Sequence, residues 1–417
     1  MKDRIINFIN NNFFQNIFSK FQKHKLDFLK FLKLTLHLNI IVLAGIYIHI
    51  PYCKQKCSYC DFHFSTNLNS KSLMVEAIIK EIEMRKNEIN TPIETIYFGG
   101  GTPSILQPNE LDSIFDALHK SYDLSKLKEV TLEANPDDLT KDKLKYLQTT
   151  PVNRFSIGVQ SFFEEDLVLM NRAHNALEAE NCIKLAQEYG FNNLTIDLIY
   201  GSNTTTHEMW HQNLQKAVDL GINHISSYAL TVEEKTTLDH KIEKGEWKPI
   251  SDQHQSEQFE YLVQFLEKNG FIQYEISNFG KPGYFSRHNS NYWKGIPYIG
   301  IGPSAHSYKG CQRGWNIANN TKYMQAINNN TLPHEVENLS LVDQYNEQMM
   351  IGLRTIYGID PSQIEQKFGS IIQEHFSKEI KELFAEKLVQ QIDGKIILTK
   401  EAKFFADGIA SRLFYVD

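Results

Sequence analysis

Cys53, Cys57 and Cys60 stand within eight residues of one another in a chain that has only five cysteines among 417 residues. Such clustering in a cysteine-poor chain reads as metal ligation in a reducing compartment, not as a disulfide scaffold. Structural zinc sites usually draw on two Cys/His pairs, and no second pair accompanies this one. Three thiolates on one short loop can instead hold three irons of a [4Fe–4S] cluster and leave the fourth iron open. A chelating amino acid suits that iron, and the amino and carboxylate groups of S-adenosylmethionine provide one. Electron transfer into the sulfonium would then break a carbon–sulfur bond and generate a radical.

Other residues could serve a cofactor beside the cluster. The glycines at 99–101 remove side chains where backbone must approach a ligand, although an ordinary tight turn would use them too. Glu133 and Asp197 could accept hydrogen bonds from ribose hydroxyls or an amino group, Gln160 could contact either, and Arg172 could pair with a carboxylate. His288 offers imidazole, the common axial donor to heme iron, with Tyr292 and Trp293 able to stack on a macrocycle. A Tyr–Trp pair is equally at home in a core, and a lone histidine is often only hydrogen-bonded. His306 is a second, weaker candidate.

Residues of these types must be brought together by regular elements. Short runs rich in Ile, Val, Phe, Tyr and Leu at 46–50, 95–98, 130–133, 155–159, 194–199 and 224–230 read as strands, with amphipathic stretches between them. Ala179, Cys182, Ile183 and Ala186, for example, follow helical spacing. Six β/α units in series imply a parallel sheet, doubly wound or curled into part of a barrel. In either form, functional groups belong at the C-terminal strand ends. The cysteines, the glycine run, Glu133, Gln160 and Asp197 all fall at or near those ends. Residues 231–325 read as a smaller α/β extension, with a helix at 256–269 and then strands and loops. Residues 326–417 read as a helical module with a hairpin, winged-helix-like in pattern.

The remaining features exclude more than they assign. A net charge of −7, with no long basic block after the N-terminus, disfavours a nucleic-acid partner. Residues 1–44 differ from the rest: up to residue 43 they carry a net +5 and are crowded with Asn and Phe. The longest apolar run, 40–48, is well short of the roughly 20 residues of a membrane span, and no signal-peptide order appears, so a cytoplasmic location is expected. A basic amphipathic helix using Phe28, Leu29, Phe31 and Leu32 would permit peripheral membrane contact. The reading preferred here is a disordered or misassigned extension.

Seven motifs in order carry a family resemblance. They are Tyr47-Ile48-His49-Ile50-Pro51-Tyr52-Cys53 with the cysteine spacing, Phe98-Gly99-Gly100-Gly101-Thr102-Pro103, Glu133-Ala134-Asn135-Pro136, Gly158-Val159-Gln160-Ser161, Asn171-Arg172, Asp197-Leu198-Ile199-Tyr200-Gly201, and Arg287-His288-Asn289-Ser290-Asn291-Tyr292-Trp293. From residue 45 onward the chain resembles the radical S-adenosylmethionine superfamily, within it the oxygen-independent coproporphyrinogen III oxidase-like (HemN-like) group. The resemblance implies an α/β fold, a partial (β/α)6 TIM-like barrel over 45–230. It implies cluster ligation by Cys53, Cys57 and Cys60, and S-adenosylmethionine contacts from Tyr47, Tyr59, Gly101, Thr102, Glu133, Gln160, Arg172 and Asp197. Oxidases of the group carry a fourth cysteine two residues after the third, where this chain has Phe62. Cys-Asp-Phe together with His-Asn-x-x-Tyr-Trp resembles the heme-chaperone branch instead. That branch implies heme binding, with His288, Tyr292 and Trp293 as candidates, and transfer to acceptor hemoproteins, respiratory ones included. The oxidase of porphyrin biosynthesis is the alternative; oligomeric state and acceptor are not written in the sequence.

Overall fold

Alternation along the strands sets the architecture. In the computed structural model, which describes residues 43–416, six strands run parallel in chain order. They are β1 (Ala44–Ile50), β2 (Ile93–Gly100), β3 (Glu129–Ala134), β4 (Arg154–Gln160), β5 (Leu194–Tyr200) and β6 (His224–Ala229). Register aligns Ile46 with Ile96, Phe98 with Leu132, Leu132 with Phe155, and Ile157 with Ile196 and so with Ile225. These fully buried side chains form one face and pack against the helices. With a side-chain period of two, the opposite face takes the intervening residues, Thr95, Tyr97, Thr131, Glu133, Arg154, Ser156, Thr195, Asp197, His224 and Ser226. That inner face is polar, so its buried groups need hydrogen-bond partners. Arg154, for instance, is buried and donates to the hydroxyls of Thr131 and Thr195.

The helices between the strands follow the sequence pattern. Ala176–Glu188 buries Ala179, Cys182, Ile183 and Ala186, and is opened by a capping box of Asn175 and Glu178. The helix expected at 256–269 forms as Asp252–Lys268, with Phe259, Leu262, Val263 and Leu266 inward.

Residues 231–325 do not form a separate layer; they lengthen the same sheet at both edges. The hairpin β7 (Ile272–Glu275) and β8 (Asn278–Gly280) pairs antiparallel to β6. The chain then returns past the helix Arg287–Trp293 to the other edge. There β9 (Tyr298–Ile301) lies parallel to β1, followed by the antiparallel strands β10 (His306–Tyr308), β11 (Gln312–Asn316) and β12 (His334–Asn338). The product is a single twelve-stranded sheet. Since β12 belongs to it, the helical module starts later than residue 326, at the helix Leu341–Arg354. The module has its own core, with Tyr345, Met349, Phe376 and Leu383 among its buried members. Its hairpin is β13 (Val389–Ile392) with β14 (Lys395–Leu398). The reading of residues 1–42 lies outside the described residues. Among the described residues, no helix is long and apolar enough to cross a membrane.

Candidate functional site

β1 runs straight into Pro51-Tyr52-Cys53, and the cysteine loop is fastened at several points. Cys53 N–H donates to the Ser65 carbonyl (3.1 Å), and Ser65 N–H returns to Pro51 (2.9 Å). Ser58, buried, donates its hydroxyl to the Leu169 carbonyl and its N–H to Met170, while accepting from Leu238 N–H. Asn171, in the left-handed region at φ 52°, exchanges hydrogen bonds with Gln55 and the Lys56 carbonyl. A left-handed non-glycine residue is costly, and here the loop contacts over-determine it.

The end of β2 locks the loop from the other side. Gly101 N–H donates to the Ile50 carbonyl (2.9 Å) and Thr102 N–H to the Tyr52 carbonyl (2.7 Å). A Cβ on Gly101 would stand 2.6 Å from the Tyr52 oxygen. The chain's own close approach therefore demands this glycine, whatever ligand lies beyond it.

Cys53, Cys57 and Cys60 open onto one cavity of about 550 Å³ at the C-terminal strand ends. Its walls also include Tyr59, Gly101, Thr102, Glu133, Gln160, Arg172 and Asp197, so seven of the eight expected cofactor contacts line it. Tyr47 does not. Its ring stacks on Tyr97 at 6.1 Å and its hydroxyl meets His49 Nδ1 at 3.2 Å. Gln160 reaches the cavity from a left-handed backbone, φ 68°, at the end of β4.

Sulfur chemistry at the wall suits a cluster. Thr102 Oγ1 donates to Cys53 Sγ (3.3 Å) and Arg172 Nη1 to Cys57 Sγ (3.1 Å), as donors would to thiolates. Arg172 Nη2 is held by Asn135 Oδ1 and the Gly158 carbonyl, both at 2.7 Å, while its Nε is buried without a partner. Burial pushes the Cys53 and Cys60 thiols up to about 11, so a bound cation is what would hold them as thiolates. The donor set therefore fits a three-cysteine cluster with an open iron.

Two carboxyls face the same space. Glu133 accepts from the Tyr97 hydroxyl (2.8 Å) and Gly100 N–H (3.2 Å); Asp197 accepts from Ser156 (3.3 Å). Burial raises Glu133 to about 7 and Asp197 to about 6, each despite donors that favour its ionised form. Ile199, Tyr228, Leu230 and Phe62 add largely apolar surface to the same cavity, and Phe62 is 69% exposed.

His288 is elsewhere, and as a heme ligand it is corrected by its surroundings. It is 1% exposed, with Nδ1 against Thr95 Oγ1 (2.8 Å) and Nε2 against the Tyr292 hydroxyl (2.7 Å). Neither ring nitrogen is free. Tyr292 is spent on that contact, and Trp293 packs under the Arg354 guanidinium. His306 is exposed on β10, beside Trp315. Sequence reasoning missed Tyr97 and Tyr228. Both sit at inward positions of strands it had found, so applying period-two alternation to those strands would have identified them.

Comparison with known proteins agrees with this arrangement. Residues 47–228 match the Radical SAM superfamily and residues 339–405 the HemN C-terminal domain. The chain is 34% identical over 361 residues to the heme chaperone HemW of Lactococcus lactis, covering 85% of this chain and 92% of that one. It is 32% identical to the heme chaperone HemW of Bacillus subtilis over 379 residues, covering 88% and 98%. Among solved structures it is similar to the coproporphyrinogen III oxidase HemN of Escherichia coli, a radical SAM enzyme, with a TM-score of 0.77 at 23% identity, covering 89% and 90%. At that identity the likeness speaks for the fold alone. Radical SAM membership implies a [4Fe–4S] cluster and S-adenosylmethionine.

Proposed function

The chain belongs to the HemW family of the radical SAM superfamily, and from that premise we propose that it is a heme chaperone, taking up heme and passing it to acceptor hemoproteins. Phe62 carries the reading: an exposed aromatic ring stands on the cavity wall where oxidases of the group have their fourth cysteine. A ring there offers a stacking surface to a flat macrocycle in place of a thiol. Ile199, Tyr228 and Leu230 add apolar surface to the same cavity.

Cys53, Cys57 and Cys60 would hold the cluster, and Tyr59, Gly101, Thr102, Glu133, Gln160, Arg172 and Asp197 would surround S-adenosylmethionine. When bound, the two supply a one-electron route to carbon–sulfur cleavage. Glu133 and Asp197 give acceptors for hydroxyl and ammonium groups, and their charge favours a sulfonium over a neutral thioether. Arg172 holds the Cys57 sulfur in place from a fixed fork of donors.

The test compares binding with turnover. Anaerobically reconstituted protein should give a saturable, stoichiometric Soret change with heme and hand that heme to an apo-hemoprotein. Coproporphyrinogen III, given with S-adenosylmethionine and a reductant, should be recovered unchanged. Steady formation of protoporphyrinogen IX would overturn the chaperone reading in favour of the oxidase.

A further inference from the structure

The helix Arg287–Trp293 carries His-Asn-x-x-Tyr-Trp, yet its histidine points into the foot of the barrel. The buried Glu129 carboxylate, at the start of β3, accepts the N–H groups of Arg287 and His288, both at 2.9 Å, and so fixes the first turn of that helix. The imidazole then lies against β1 and β2. A Cβ on Gly45 would come within 3.3 Å of His288 Cε1, so β1 has left room for the ring.

Above the imidazole is Tyr97, stacked on it with centroids 5.1 Å apart and planes 28° from parallel. Tyr97 also stacks on Tyr47 and gives its hydroxyl to Glu133 Oε1 at 2.8 Å. A chain of contacts therefore leads from Glu129 through His288 and Tyr97 to a carboxylate on the cavity wall. With both imidazole nitrogens engaged, the ring cannot turn without breaking a buried hydrogen bond, and Tyr97 cannot tilt without losing its stack.

We propose that His288 is a positioning residue for S-adenosylmethionine: it holds Tyr97, and Tyr97 aims the Glu133 carboxylate at the cofactor. This rests on the reading that Glu133 contacts S-adenosylmethionine. The motif acts from below the site as a buttress, and its histidine is not a ligand to heme iron. Orientation of a buried acceptor matters because its hydrogen bond weakens steeply as the angle opens.

The experiment uses holoprotein carrying its cluster. One titration adds S-adenosylmethionine and follows the electron paramagnetic resonance signal of the reduced cluster; another adds heme and follows the Soret band. Tyr97→Phe and His288→Asn should each raise the dissociation constant for S-adenosylmethionine about tenfold, the worth of one hydrogen bond to a charged group. Heme affinity and end point should stay at wild-type values. The double variant should be no weaker than the worse single one, because both act through the same hydrogen bond. Additive losses would overturn the proposal, as would a His288→Asn protein that loses heme while binding S-adenosylmethionine normally. Should His288→Asn fail to fold, Thr95→Val removes one imidazole partner at nearly constant shape and takes its place in the cycle. Glu133→Gln separates the two layers. Unchanged cofactor affinity in that variant removes Glu133 from the site; weakened affinity there, with Tyr97→Phe and His288→Asn normal, removes only the positioning role.

Discussion

Glu133 and Asp197, which on the proposed reading receive a cation, stand in a wall that gives carboxyls little solvent. Burial lifts them to about 7 and about 6, so near neutrality each exchanges its proton readily. The ionised forms attract a sulfonium or ammonium, and protonation removes that attraction. Affinity for S-adenosylmethionine should therefore fall as pH drops from about 8 to about 6, and Glu133→Gln should flatten the upper part of that profile. Stability of the ligand-free protein has the opposite sign. A carboxyl raised on folding contributes stability below its unfolded value, near 4.5, and loses it as pH rises through about 7. Relative to Glu133→Gln, the wild-type thermal midpoint should thus climb as pH falls through that window. A wild-type midpoint that instead fell with pH, measured against the variant, would show that Glu133 is ionised in the folded protein. The two carboxyls were legible from their strand-end positions. Their raised affinity for protons was not, because it depends on how deeply the finished barrel buries them.

At the scale of elements, the glycine run and the cysteine loop form one unit. The sequence suggests that 99–101 clears space for a ligand; the structure gives much of that space to the chain itself. An added methyl on Gly101 would meet the Tyr52 carbonyl at 2.6 Å and its nitrogen at 2.8 Å. Relief requires moving β2 away from the loop, at the expense of the hydrogen bonds Gly101–Ile50 and Thr102–Tyr52. Gly101→Ala should cost about 2–4 kcal/mol in urea unfolding and lower the iron and sulfide retained after reconstitution. Wild-type values for both would mean that the loop yields without effort. The six parallel strands were plain in the sequence since short runs rich in β-branched and aromatic residues are a local signal. The placement of β9 was not: Ile46 pairs with Ile299 across more than two hundred residues, and no local pattern encodes that choice. His288 was ambiguous for the same reason. Its neighbours Thr95 and Tyr97 come from a strand far away in the chain, and only they distinguish a buttress from a ligand.

For the whole molecule, the consequence of β9 is that β1, the strand leading into the cysteine loop, is interior, with β2 on one side and the extension on the other. A buried ion pair fastens that extension. Glu81 and Arg85, at the end of the helix Lys71–Met84, are 0% and 1% exposed and lie 3.0 Å apart. Glu81 also accepts from Gly302 N–H (2.8 Å), Asn316 Nδ2 (2.7 Å) and the Tyr323 hydroxyl, while Arg85 donates to the Gly300 carbonyl (2.8 Å) and Ser307. Residues of β9, β10, β11 and the helix Asn320–Asn328 thus meet at one carboxylate and one guanidinium. Removing one partner strands the other in a site that water does not reach, and such a loss runs to about 3–5 kcal/mol. Arg85→Ala should lower stability to urea by that amount. Lys128→Ala, which breaks the half-exposed pair with Glu94, should cost no more than about 1 kcal/mol. Loss of Arg85 also removes the donor that holds the Gly300 carbonyl of β9, the neighbour of β1, so cluster retention should fall, although Arg85 does not line the cavity. A cost for Arg85→Ala no greater than for Lys128→Ala would mean that the sheet, not this pair, holds the extension against β1. Full cluster retention alongside a large stability loss would mean instead that β1 keeps the cysteine loop in place without β9.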